Sequence, residues 1–152
     1  MRAPVRFPRR RRRGNALVEF AIGFGFLLSA FAGVYQFGYA FYLYNNLESA
    51  VRDGARYASQ ANYDAPQATD FRTRVRNMVV YGHPSPPTNT RPVVPRLLPA
   101  NITVTPNTDA VGVPRTITVQ VNGYVIDSIF ATYTLAGRPR CTFDFLGLYV
   151  TP

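Results

Sequence analysis

The chain has no lysine, one histidine and one cysteine among its 152 residues. The lone Cys141 excludes an internal disulfide, on which small exported domains often lean. Such a domain must then be held by its own core, by a membrane helix or by neighbours. Cys141 reads as a small buried hydrophobe in a strand, with an intermolecular bridge as the alternative. With His83 as the single histidine, no Cys/His cluster has metal spacing. There is no glycine-rich phosphate loop and no Gly-x-Ser-x-Gly elbow. The acids Asp53, Asp64, Asp70, Asp109, Asp127 and Asp144 are scattered, with no pair spaced for acid/base work. No catalytic residue, metal, cofactor or small-molecule substrate is therefore expected, and the chain does not read as an enzyme.

What is present is charge at one end and a long apolar run beside it. Seven of the 17 basic residues lie in the first 13 positions, and the other ten face eight acids. Arg9, Arg10, Arg11, Arg12 and Arg13 stand in a row, followed by Gly14 and Asn15. From Ala21 to Tyr44 there is no charge, and Ser29 and Gln36 are the only polar side chains besides tyrosines. Those 24 residues make about 36 Å of helix at ~1.5 Å per residue, enough for a ~30 Å hydrocarbon core. The arginine row predicts a cytoplasmic N-terminus, a single span and everything after Tyr44 outside. Tyr35, Tyr39, Tyr42 and Tyr44 crowd the outer end, where ring and hydroxyl suit the headgroup boundary. An arginine row can bind nucleic acid, but directly before a span it sets topology and holds anionic lipid. Membrane lipid is thus the expected partner, and nucleic acid is not.

Glu19 stands about a turn and a half inside this apolar helix, where an acid is costly. One reading is an interfacial Glu reaching headgroups and arginines. The other is a carboxylate whose cationic partner appears on assembly. Cleavage after Gly14 would supply one, since the new α-amino group of Asn15 lies four residues from Glu19, a close pair in a helix. Ala21, Gly25, Ser29 and Gly33 recur every four residues, a small-residue face that permits close helix packing. A secretory signal with Ala30-Phe31-Ala32 as its cleavage site is the competing interpretation, but the apolar run continues well past it and Glu19 interrupts its core. An uncleaved anchor carrying a small domain is the third.

The run Arg13-Gly14-Asn15-Ala16-Leu17-Val18-Glu19-Phe20 resembles the class III prepilin signal. Together with Gly33-Val34-Tyr35-Gln36-Phe37-Gly38-Tyr39-Ala40-Phe41-Tyr42 and Ala50-Val51-Arg52-Asp53-Gly54-Ala55-Arg56-Tyr57-Ala58, it resembles the TadE-like family, minor pilins or pseudopilins of the tight-adherence (Tad/Flp, type IVb) pilus. The resemblance covers Arg13 to Ala58. It departs at Gly25, Gln36 and Tyr39, where the family commonly has proline, an acid and arginine. It implies a bacterial inner-membrane protein, cut by a prepilin peptidase between Gly14 and Asn15, with Glu19 and Phe20 serving assembly. The partners it implies are that peptidase, other pilins and the pilus assembly machinery. The size of the head implies a minor subunit, since the major ones resemble little more than the helix.

The remaining sequence completes the expected organisation: a basic cytoplasmic leader at 1–14, a transmembrane helix at 15–44, a helical part at 45–82, a Pro-rich connector at 83–99 and a β-rich head at 100–152. Leu47, Ala50, Val51, Gly54, Ala55 and Ala58 continue the helical period to about Ser59. Asp64 is read as the cap of a second helix with Pro66 in its first turn. Phe71, Val75, Met78 and Val79 are its apolar face, Arg72, Arg74 and Arg76 a solvated one, and Gly82 its end. Ile102 and Val104, then Ile117, Val119 and Val121, alternate as strands, the second extending toward Ile126. Leu135 to Pro139 reads as a loop, and Arg140 to Thr151 as the last strand. The fold class is α+β and, by the resemblance, pilin-like: a long N-terminal transmembrane helix continuing into a head with a second helix and a three-stranded antiparallel sheet.

Overall fold

The computed structural model describes residues 13–64, 67–127 and 132–150. Helix α1 spans Arg13–Gln60 and α2 spans Ala68–Tyr81. Between them lies the two-residue strand β1, Tyr63–Asp64. A 3-10 turn at Pro99–Asn101 leads into β2 (Ile102–Thr108), β3 (Pro114–Asp127) and β4 (Thr132–Asp144). A last short strand, β5, is Tyr149–Val150. β2, β3 and β4 form an antiparallel sheet in that order, while β1 and β5 pair in parallel. The α+β architecture with two helices and a three-stranded sheet is as the sequence predicts. The chain divides into two compact units, Met1–Gly38 and Tyr39–Pro152.

In the second unit, Leu47, Val51, Ala55 and Ala58 of α1 are buried with Phe71, Val75, Val79 and Val80 of α2. From the sheet, Ile102, Val104, Ile117, Val119 and Val121 join the same core, the inward members of alternating strands. Gly54 permits the helices' close approach: a Cβ there would run into the Val79 side chain. The end of α2 is set by Gly82, whose φ of 71° is left-handed and whose N–H donates to the Met78 carbonyl at 2.9 Å, the position glycine tolerates best. Asp64 does not cap α2. It lies in β1, the cap position is Gln67 and makes no side-chain bond, and Pro66 lies outside the described residues. Val80 takes the buried place expected of Met78, which is half-buried. Arg76 leaves the expected solvated face; its Nε donates to the Ile102 carbonyl at 3.1 Å and ties α2 to β2.

The segment 83–99 is anchored on the core and turns at 88–89 and 95–96. Val94 and Leu97 are fully buried in the core, and the Val93 N–H donates to the Val80 carbonyl at 2.8 Å.

Residues 135–139 are not a loop between strands but the middle of β4. Gln120 faces Arg140 and Asn122 faces Ala136, so Gly137, Arg138 and Pro139 together oppose Val121 alone. This bulge absorbs a glycine with φ of 70° and a proline preceded by a cis bond. A strand at the sheet edge tolerates both, since its outer N–H groups have no ladder to complete. Asn122 holds the bulge: its Oδ1 accepts the Gly137 N–H at 2.6 Å and its Nδ2 donates to Thr103 Oγ1 at 2.9 Å. The chain then leaves the sheet. β5 is a separate strand whose Tyr149 pairs with Tyr63, and Leu146 N–H donates to the Ser59 carbonyl at 2.8 Å.

Asp109 organises the turn between β2 and β3. Its Oδ1 accepts the N–H groups of Val111 at 3.0 Å and Val113 at 2.9 Å, and its Oδ2 meets Arg115 at 3.2 Å. The Val113 N–H first, then the Val111 N–H and the Arg115 guanidinium, hold the carboxyl below its ordinary range, with desolvation opposing them. A folded-state pKa below the unfolded one adds stability that is complete above the ordinary carboxylate range. It is lost as pH falls through the lowered value. Asp109→Asn should therefore melt at a lower temperature than the parent at neutral pH. The gap should close on acidification in thermal melts across pH, and a gap independent of pH would refute the linkage.

Candidate assembly surface

The first unit presents apolar side chains outward. Leu17, Phe20, Ile22 and Phe26 are exposed, Phe26 by 79%. No part of the most apolar window of this helix, with a mean hydropathy of 2.0, is buried within the chain. Exposed apolar surface on this scale is not left to water, and α1 is the one helix among the described residues long and apolar enough to cross a membrane. It serves as a single-pass membrane anchor. Length without charge, not an apolar period, marks it as a spanning helix, and residues 14–31 are exposed on every side, free for lipid or other helices.

Gly14, Asn15 and Glu19 all lie on α1 and are exposed. Gly14 and Asn15 stand in the first turn, whose backbone N–H groups have no intrahelical partner. Glu19 follows Asn15 by one helical step of four residues and forms no ion pair among the described residues. Phe20 stacks on Phe24, ring centroids 5.8 Å apart and planes 14° apart. Arg9 to Arg12 lie outside the described residues. Arg13 opens the helix.

Ala21, Gly25, Ser29 and Gly33 share one stripe of α1, and Ser29 Oγ donates to the Gly25 carbonyl at 2.9 Å. That back-bond satisfies the hydroxyl without a partner chain and favours a slight bend. A Cβ added to Gly14, Gly23, Gly25, Gly33 or Gly38 would meet nothing within 4 Å. Each glycine costs a helix about 1 kcal/mol relative to alanine. Nothing among the described residues requires those glycines, in contrast to Gly54.

The head carries features that the sequence did not announce. Tyr39, Leu43, Pro95, Arg96, Tyr124, Val125 and Asp127 line a cleft of about 230 Å³. Tyr124 donates its hydroxyl to the Pro95 carbonyl at 2.9 Å. Desolvation first, and then Tyr39 and Asp127, push its phenol above the ordinary value, with Arg96 opposing. A second cleft lies between the helices at Asp53, Arg56, Tyr57, Gln60 and Met78. Among the described residues no group of His, Cys, Asp and Glu could hold a metal. These clefts bring together residues from four chain segments, so no local motif marks them.

The family described as TadE-like protein matches residues 14–56. The match begins at Gly14, covers Glu19 and the exposed apolar helix, and ends within the Gly54-Ala55-Arg56 run that packs on α2. The resemblance read from the sequence is borne out over this segment. No curated protein and no solved structure matches the chain.

Proposed function

We propose, on the premise of this TadE-like segment, that the chain is a minor pilin or pseudopilin of a tight-adherence pilus, a structural subunit and not an enzyme. The observation that carries the reading is the exposed apolar helix whose glycines meet nothing among the described residues. A stripe of Ala21, Gly25, Ser29 and Gly33 suits close packing against other pilin helices, where small residues let backbones approach. The arginine row keeps the N-terminus cytoplasmic, and the head lies outside the inner membrane. A membrane prepilin peptidase cuts between Gly14 and Asn15, exposing an α-amino group one helical step from Glu19. In the assembled helices that amine, or the one of a neighbouring subunit, neutralises the carboxylate. Other pilins and the assembly machinery are its partners.

The intact mass of the protein recovered from the membranes of its native host tests this directly. The expected species begins at Asn15. A chain beginning at Gly33 would make it a secreted soluble domain, and one retaining Met1 would leave it a plain membrane anchor; either result overturns the pilin assignment.

A further inference from the structure

The apolar run alone places the outer membrane boundary at Tyr44, and the charges of the head argue for an earlier one. Tyr39 and Leu43 share a cleft with Arg96 and Asp127, which form an exposed ion pair. One turn further along, Tyr44 and Glu48 share a cleft of about 270 Å³ with Arg138, Pro139 and Arg140. Charged groups at the level of Tyr39 are costly in hydrocarbon. The hydrocarbon must therefore end near Tyr39. Twenty helical residues separate Tyr39 from Glu19, about 30 Å at ~1.5 Å each, which equals a typical core thickness of ~30 Å. On this register both Glu19 and Tyr39 mark boundaries, and Tyr44 stands outside.

The charges of this rim do not cancel. Asp127 is paired with Arg96, and Glu48 with Arg52 at 2.9 Å. Arg138 and Arg140 are exposed and form no ion pair among the described residues. The exposed rings of Tyr39, Tyr42 and Tyr133 lie at the same end, Tyr133 opposite Ile126 across the β3–β4 ladder. Aromatic rings with spare guanidinium groups are the chemistry of the headgroup layer: rings prefer the interface and arginine binds phosphate in a bidentate fork. The bulge in β4 displays Arg138, since Gly137-Arg138-Pro139 is the extra stretch that leaves the ladder, and Arg140 stands exposed where the ladder resumes opposite Gln120.

We propose that this rim docks on the phospholipid headgroups of the outer leaflet, with Arg138 and Arg140 binding their phosphates and Tyr39 marking the hydrocarbon edge. The proposal rests on the membrane-anchored reading of α1. It resolves the two interpretations of Glu19 in time. Before assembly the carboxylate sits at the inner headgroups, and only on leaving the bilayer does it need a subunit amine.

The chain contains no tryptophan, so single Tyr39→Trp and Tyr133→Trp variants of the full-length protein report their own depth. The variants are placed in vesicles of phosphatidylcholine and phosphatidylglycerol whose acyl chains are brominated at different depths. Quenching at both positions is expected to be strongest with bromines nearest the headgroups. Strongest quenching of position 39 by mid-chain bromines would return the boundary to Tyr44, some 7 Å further out, and overturn the rim alone. No quenching at either position would mean that α1 does not enter the bilayer, and would overturn the anchor reading as well. Adding Arg138→Gln and Arg140→Gln should lower quenching at position 133 at least about threefold while leaving position 39 unchanged, since each surface arginine contributes separately to anionic-lipid attraction. High salt, or vesicles without phosphatidylglycerol, should weaken the parent's signal in the same direction. Indifference to both treatments would overturn headgroup binding.

Discussion

Glu19→Ala is expected to leave the protein in the membrane and to reduce its recovery in sheared pili at least about tenfold. The helix loses one charge and gains a better helix former, so insertion is not impaired. Among packed helices the situation reverses, because the α-amino group of Asn15 then has no carboxylate within a helical step. Removing one partner of a buried pair costs about 3–5 kcal/mol, and each ~1.4 kcal/mol is a factor of ten in an equilibrium. Tenfold is thus a lower bound even if water or a neighbour compensates for half of the loss. Glu19→Gln keeps the size and one acceptor and should fall between the two. Immunoblots of membrane and pilus fractions measure the ratio; equal recovery of the alanine variant and the parent would remove the neutralisation step from the proposed function. Such a result would leave the rim untouched, since headgroup docking concerns the chain before it assembles.

Phe71→Ala should be the most damaging single change in the head. Phe71 is fully buried, and its ring meets Tyr63 edge-on with centroids 5.1 Å apart. Tyr63 in turn stacks on Tyr149 and meets Phe145 edge-on. One aromatic cluster therefore joins α2, β1 and the C-terminal segment that returns through β5. Truncating a buried phenylalanine costs about 3–5 kcal/mol, a large share of the ~5–15 kcal/mol that holds a domain folded. In detergent the full-length variant should melt at least about 12 °C below the parent, at roughly 4–8 °C per kcal/mol for a head of this size. Arg72→Ala, one residue along on the exposed face, should change stability by no more than ~0.5 kcal/mol. Near-equal melting of the two variants would show that the aromatic cluster does not hold the head together.

Where local pattern and fold agreed, the elements were legible. Alternation marked β2 and β3, because an edge strand and a central strand with one buried face keep a period of two. Gly82 marked the end of α2, since a left-handed cap has an obvious residue. β4 was read half right. Leu135 to Pro139 has the composition of a turn, and only pairing with β3 shows that a bulge can carry it inside a strand. The C-terminal segment was misread as a continuation of that strand, because its two-residue pairing with Tyr63 is a contact between distant parts of the chain. Asp64 looked like a cap for the same reason: nothing nearby says that its backbone is taken by β5.

The assembly surface divides along the same line. By itself the sequence determined the anchor, the glycine–glutamate spacing after the arginines, the small-residue stripe and the α+β class. These depend on properties that run along the chain: length without charge, period and position. Tertiary structure alone decided which glycines the fold needs and which it leaves open, since that distinction lies in what a Cβ would meet. It also decided that Arg138 and Arg140 stand beside Tyr44, and Arg96 and Asp127 beside Tyr39. Hydropathy sees only neighbours in sequence, so it runs the membrane span on to Tyr44. The charges that argue for an earlier end come from residues fifty to a hundred positions away, brought there by the packing of the sheet on the helix.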